Sequence, residues 1–227
     1  RSEGGIVPTS GKSDIELRNV ICNSFGFGGN DSSMVISAEP VKSVQPGPDR
    51  TFEVVAEEVI TSVEELKELK EFVSPMESRR MGKLMKAAHQ ASLRALKKAG
   101  IDCPDAIITA TSRGMLEVSM QFLDDIAESN EEHLKPTLFM QSTHNTLSSA
   151  IAIRTKCYGY NITYSHGDDS FEWAMRDAER LLRTGKISNV LVGSFDESTP
   201  VFTQFAERAG KAAPAELYAK AVVLKSN

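Results

Sequence analysis

Residues 161–175 read NITYSHGDDSFEWAM, and three side chains within four positions, His166, Asp168 and Asp169, are of types that do chemistry. An imidazole beside two carboxylates can move a proton or ligate a cation. The trio stands where a strand-like run, Tyr160–Tyr164, gives way through Ser165 and Gly167 to a helical pattern. A metal fits the spacing poorly. Ligands crowded into a tight turn rarely converge without a distant fourth, and no HExxH-type pair supplies one. Neither a metal nor a cofactor is expected.

The elements that must position this turn follow from periodicity. Residues 39–50 hold three prolines and no periodic apolar pattern, so they read as a linker between a short segment, 1–38, and a longer one, 51–227. Thr51–Ile60 is a strand candidate. Met81, Leu84, Met85, Ala88, Ala91, Ala95, Leu96 and Ala99 recur at helical spacing and stop at Gly100, where a C-terminal glycine belongs. Ala106–Thr111 has the pattern of a buried parallel strand. Val118, Phe122, Leu123 and Ile126 mark an inserted helix, and a short one falls near Glu64–Phe72. Asn145–Lys156 is a further helix. Phe171, Ala174, Met175, Ala178, Leu181 and Leu182 form a stripe that Gly185 ends. This helix reads as the most apolar of the set and is expected between layers. Val190–Gly193 and Leu217–Leu224 complete the pattern as strands, with a loop between them rather than a long helix. Without the inserted helices the order is βαβαβαββ, which requires a mostly parallel, mixed five-stranded sheet with helices on both faces.

Several function classes are excluded in bulk. The chain has 227 residues, 25% of them charged, and a net charge of −5, which argues against nucleic-acid or anionic-membrane binding. No apolar run is long enough to span a bilayer, and no signal-peptide pattern opens the chain. Cys22, Cys103 and Cys157 make no disulfide framework, and a reducing, cytoplasmic location is expected. Arg1 rather than methionine stands first, the mark of a processed chain or a fragment.

Specific motifs carry a family resemblance. RRMGKLMKAAHQASLRALKKAGID, PDAIITATSRGMLEVSMQFL and QSTHNTLSSAIAIRTKCYGYNITYSHGDDSFEWAMRDAERLLRTGKISNVLVGSFDE occur in order. Together they resemble the β-ketoacyl-ACP synthases of the thiolase fold, and most of all the divergent ketoacyl-synthase N-terminal-domain proteins. Residues 1–38 resemble another part of the same family. GGIVPTSG and RNVICNSFGFGGNDSSMVIS look like the end of an elongating ketosynthase, where a GFGG loop joins two antiparallel strands. An N-terminal β-hairpin is therefore expected.

The resemblance implies where the chemistry would sit. In the family a cysteine begins the helix after this turn, where free N–H groups favour its thiolate. Alignment on MRDAERLLRTG puts Asp168 in that place, with His166 and Asp169 as neighbours. An aspartate there cannot carry an acyl group, but it can cap the helix. The family's HGT and GH histidine motifs are absent. Pocket candidates implied by the resemblance are Phe27, Gly28, Gly29, Asn30, His144 and Asn145, with a cap or turn contact the plainer reading for His144. His89 reads as a packed or solvated helix residue, and His133 as exposed. Cys157 reads as an inert thiol, and Asp196 and Glu197 as structural turn contacts. The basic run Arg79, Arg80, Lys83 and Lys86 is either a solvated helix face or a surface for an acidic acyl carrier protein.

The reading that follows is a non-catalytic partner, similar to a chain-length factor, of an active ketosynthase in fatty-acid or polyketide-type assembly. The partner is an active ketosynthase or a second copy, with Tyr160–Tyr164 as a sheet edge. The alternatives are part of a larger 3-oxoacyl-ACP synthase whose catalytic half lies elsewhere, and a small hydrolase or binding protein using the acidic turn.

Overall fold

Period-two alternation of apolar residues builds the main sheet, and helices of 3.6 period close its two faces. The computed structural model describes residues 18–25, 31–39, 49–129, 132 and 134–227. It forms two units, Arg1–Gln45 and Pro46–Asn227.

The first unit is a hairpin of β1 (Asn19–Phe25) and β2 (Asp31–Ser37), paired antiparallel. Val20 pairs with Ile36 and Cys22 with Met34, while Ile21 pairs with Val35 one residue out of phase. Successive pairs point to opposite sides of a ribbon, so both faces carry aliphatic side chains. The Asn23–Ser33 and Asn19–Ser37 side-chain bonds tie the strands at 2.7 and 2.8 Å. The expected GFGG loop lies outside the described residues.

The second unit opens with β3 (Phe52–Ile60), a 3₁₀ helix (Val63–Glu71) and the single turn α1 (Pro75–Ser78). Next come α2 (Lys83–Ala99), β4 (Ala106–Ala110), α3 (Leu116–Ser129), α4 (Pro136–Ser142) and α5 (Thr146–Thr155). Then follow β5 (Tyr160–Tyr164), a 3₁₀ turn (Gly167–Asp169), α6 (Ser170–Arg183), β6 (Asn189–Glu197), α7 (Pro200–Arg208) and β7 (Leu217–Ser226). The sheet order is β3-β7-β6-β4-β5. β4 pairs in parallel with β5 and β6, whereas β7 is antiparallel to β3 and β6. This is the mixed five-stranded sheet that the alternation of elements requires, and β5 is one of its edges.

Each inner strand sends alternate residues to opposite cores. Ile107, Leu191, Phe195, Ala219 and Val223 pack under α2 and α5, while Ile108, Val192, Val222 and Leu224 pack under α6. The two faces are unequal, and here the sequence expectation needs correcting. α6 is not the most enveloped helix: Ala174, Ala178, Leu181 and Leu182 are buried, but Glu172, Trp173, Arg176 and Arg183 face water. It covers one face of the sheet with a charged outer side. α2 is the enveloped one, with ten buried residues that include His89, Gln90 and Ser92. Four alanines, Ala87, Ala88, Ala91 and Ala95, are fully buried along it and let the helix approach the sheet closely.

The span between Gly193 and Leu217 is the second correction. β6 continues to Glu197, and a nine-residue helix, α7, follows. Thr199 accepts the Phe202 amide at 3.3 Å and Pro200 takes the first turn, a start signal that lies in the sequence. No residue of α7 is buried, so no core face announces it.

Candidate functional site

Two chain segments meet at the C-terminal ends of β4, β5 and β6. The first is the loop Thr111–Gly114 after β4, anchored by Asp196, whose carboxylate is 8% exposed. Its Oδ1 accepts the Thr111 hydroxyl at 2.9 Å and the Ser112 and Arg113 amides at 3.0 and 2.9 Å; Oδ2 accepts Ser112 N at 3.1 Å. One carboxylate thus satisfies three donors that the end of a strand leaves free. Next to it, buried Glu197 accepts the Glu117 amide at the start of α3 at 2.8 Å. Burial pushes the Glu197 carboxyl above its ordinary range. Asp196 and Glu197 close β6 rather than follow it, and both carboxylates accept backbone amides.

The second segment is the turn Ser165–Asp169. Gly167 sits at φ +61°, a left-handed conformation that suits glycine, and the chain swings from β5 into α6. Ser170 fastens the swing: its Oγ accepts the His166 amide at 2.8 Å and lies 2.6 and 3.0 Å from the Gly167 and Thr111 carbonyls. Ser112 Oγ donates to Gly167 O at 2.8 Å and joins the two segments. Asp168 and Asp169 are exposed, and neither side chain caps α6. The expected cap contact of Asp168 is therefore corrected. Asp168 lies inside the short 3₁₀ turn that precedes the helix, and Asp169 takes the N-cap position of α6 without a side-chain bond. His166 lies between Tyr164 and Trp173, with ring centroids 6.1 and 5.9 Å away, and Arg176 covers the Trp173 ring. The trio that looked like chemistry is spread over an exposed turn. Among the described residues no group of three or more histidine, cysteine or acidic side chains could hold a metal.

Asp168 nevertheless lines a cavity of about 630 Å³. The apolar side of α7, Phe202, Phe205, Ala206 and Ala209, forms one wall. Arg113 and Lys211 bring positive charge; the Arg113 guanidinium lies 5.7 Å from the Phe202 ring centre and its Nε donates to Glu197 O. No thiol and no imidazole is among the lining residues. The cavity can hold an apolar group with an anionic end.

The other sequence candidates lie elsewhere. His144 packs its ring on Gly114, where a Cβ would come within 3.1 Å of it. Asn145 begins α5 without a side-chain cap bond, and neither residue lines the cavity. Phe27, Gly28, Gly29, Asn30 and His133 lie outside the described residues. His89 is buried, with Nδ1 2.8 Å from Met85 O, and burial holds its pKa below the ordinary value. Of the basic run, Arg79, Lys83 and Lys86 line a cleft of about 460 Å³ with Lys67 and Lys70, while Lys83 is 3.2 Å from Glu216. Thr111, Arg113, Phe202, Phe205 and Lys211 were not foreseen. Only the i, i+3, i+4, i+7 spacing of Phe202, Phe205, Ala206 and Ala209 could have signalled them.

Comparison with known proteins places this architecture. Residues 56–227 match the family described as beta-ketoacyl synthase, N-terminal domain. No curated protein sequence matches. Among solved structures, a ketosynthase (ApeO) in complex with its chain length factor (ApeC) from Xenorhabdus doucetiae aligns with TM-score 0.60 at 24% identity, over 78% of this chain and 79% of the other. A type II polyketide acyl-carrier protein in complex with its ketosynthase (AntDE:AntF) gives 0.65 at 13%, over 78% and 63%. A beta-ketoacyl synthase from Burkholderia phymatum STM815 gives 0.61 at 16%, over 78% and 59%. The chain thus spans about six-tenths of the last two. At these identities the likeness is one of fold.

Proposed function

The chain belongs to the β-ketoacyl synthase N-terminal-domain family, and on that premise we propose that it is a non-catalytic ketosynthase-like subunit of fatty-acid or polyketide-type assembly. One observation carries this reading. The position that matches the family's nucleophile holds Asp168, an exposed carboxylate in a cavity lined by neither thiol nor imidazole. A carboxylate there makes no useful acyl carrier. The direct test is incubation with acyl-ACP followed by intact-mass spectrometry. No adduct is expected, and a stable acyl group on any residue overturns the reading.

Its partner is an active ketosynthase or a second copy of the chain, joined along β5. This strand is a sheet edge with Tyr160 partly exposed, and unprotected edges are ordinarily paired or blunted. The ApeO–ApeC pair, a ketosynthase with its chain length factor, supports this choice by analogy of fold. Light scattering decides the self-association half, since a monodisperse monomer at micromolar concentration excludes the homodimer. An acyl carrier protein is a further partner, met by Lys67, Lys70, Arg79 and Lys86. The work would take place in the cytoplasm, in keeping with three free cysteines.

A second reading rests on the hairpin. β1 and β2 bear aliphatic pairs on both faces, as a ribbon in the interior of a larger sheet would. On that reading residues 1–38 close an active upstream synthase, 39–50 link it onward, and 51–227 form its partner domain. A longer natural transcript encoding HGT and GH motifs upstream of Arg1 would favour it.

A further inference from the structure

A cavity of about 720 Å³ lies at the other end of the sheet from Asp168, where β4 and β5 begin. The two strands run in parallel with Ala106 opposite Tyr160. One residue earlier they are closer still: a Cβ on Gly159 would lie 1.9 Å from the Asp105 carbonyl oxygen, so only glycine fits. Cys103 and Cys157 each stand three residues before the first paired positions, Ala106 and Tyr160. Cys103 Sγ lies 3.5 Å from the carbonyl oxygen of Lys156, the group bonded to the Cys157 nitrogen. Both thiols are free; Cys103 is exposed on the cavity wall and Cys157 is buried behind it.

The charge around Cys103 points to its reagent. Lys156, Arg180 and Lys186 line the same cavity. Arg180 is held by Asp177 at 2.7 Å, but Lys156 and Lys186 form no ion pair among the described residues. The acid in the lining, Asp105, is occupied: its Oδ2 accepts the Ser188 and Asn189 amides and the Asn189 side chain at 2.8, 3.2 and 3.2 Å. Two cations are left beside an exposed thiol, a setting that attracts a carboxylate-bearing molecule.

We infer that Cys103 and Cys157 form a dithiol–disulfide site whose substrate is an anionic low-molecular-weight disulfide of the glutathione type. The Cys103 thiolate attacks one sulfur of that disulfide, forming a mixed disulfide and releasing one thiolate. The Cys157 thiolate then attacks the Cys103 sulfur. The Cys103–Cys157 bond forms and the second small thiolate leaves. Two electrons pass from the protein dithiol to the small disulfide, and the two protein protons end on the two released thiols. Burial raises the Cys157 thiol above its ordinary range, with the charge of Cys103 adding to this, so the exposed sulfur attacks first and the buried one resolves. The bond ties β4 to the edge strand β5. This inference stands on these two thiols and their cavity, not on the absence of catalysis.

The test uses the full reduced chain, glutathione disulfide, and acid quenching before intact-mass and non-reducing peptide analysis. The expected product has lost two hydrogens and yields a linked Cys103–Cys157 peptide. Cys157→Ser should stop at one glutathionyl group on Cys103. The paired change Lys156→Asn and Lys186→Gln should slow glutathione disulfide several-fold and leave uncharged hydroxyethyl disulfide unaffected. Asparagine is chosen because Lys156 sits at φ 55° and asparagine tolerates that conformation. Absence of the linked peptide, or Cys103 reacting no faster than exposed Cys22, overturns the site. Equal slowing of both disulfides, or of neither, overturns recognition by charge.

Discussion

Asp196 and Asp168 stand at the same end of one sheet, joined through Ser112, yet the fold uses them in opposite ways. Asp196 is enclosed and accepts two amides and a hydroxyl. Asp168 begins a helical turn, faces solvent and holds no cap bond. Proximity to a helix N-terminus does not make a carboxylate a cap. What counts is whether the backbone turns its free donors toward it, and at α6 no side chain makes a cap bond.

The comparison can be broken most forcefully at Asp196. Asp196→Ala strips Thr111, Ser112 and Arg113 of their acceptor inside the protein and should cost about 3–5 kcal/mol. Asp196→Asn should cost less, because one acceptor oxygen remains. Urea unfolding measures both, and a loss no larger than that of Asp168→Ala would erase the distinction.

Ser170→Ala comes next. It removes the hydroxyl that ties the His166 amide to the Gly167 and Thr111 carbonyls, and should cost about 1–2 kcal/mol. Hydrogen exchange at His166 should quicken in step.

The same contrast runs between two imidazoles, buried His89 and exposed His166. Burial lowers the folded-state pKa of His89 below the ordinary 6.5, so the unfolded chain binds the extra proton first. Its contribution to stability is complete above about 6.5 and is lost as pH falls through that value toward the lowered one. His89→Met should flatten this part of the stability curve in thermal melts followed from neutral to acid pH. An unchanged slope would assign the acid loss to other groups.

The smallest effect is expected at the turn itself. Asp168→Ala should change stability by no more than about 0.5 kcal/mol, as an exposed side chain without partners does. Asp168→Cys should leave the fold intact and give a thiol that maleimide labels faster than buried Cys157. Equal rates would mean that the turn is closed in solution.

Much of this architecture was legible in the chain. Ala106–Thr111 and Leu217–Leu224 are apolar on both sides because both faces of the inner strands are covered, and Gly100 and Gly185 mark helix ends through their left-handed backbones. α6 misled because its alanines and leucines were read as a general apolar character. Its spacing in fact assigns Glu172, Arg176 and Arg183 to the outer side. α7 is short and buries no residue in the core, so its apolar spacing, Phe202, Phe205, Ala206 and Ala209, is a weak signal in the sequence.

By itself, the sequence determined the strands, the main helices and the mixed sheet, since periodicity and residue type are local properties. Only the tertiary structure decided which acid is an anchor and which is idle. It also decided that α7 walls the cavity around Asp168, and that Cys103 lies against the carbonyl of Lys156, the residue before Cys157. Those facts depend on residues far apart in the chain being brought within a few ångströms, and on which donors the backbone leaves unsatisfied when it turns. No short stretch of sequence encodes either.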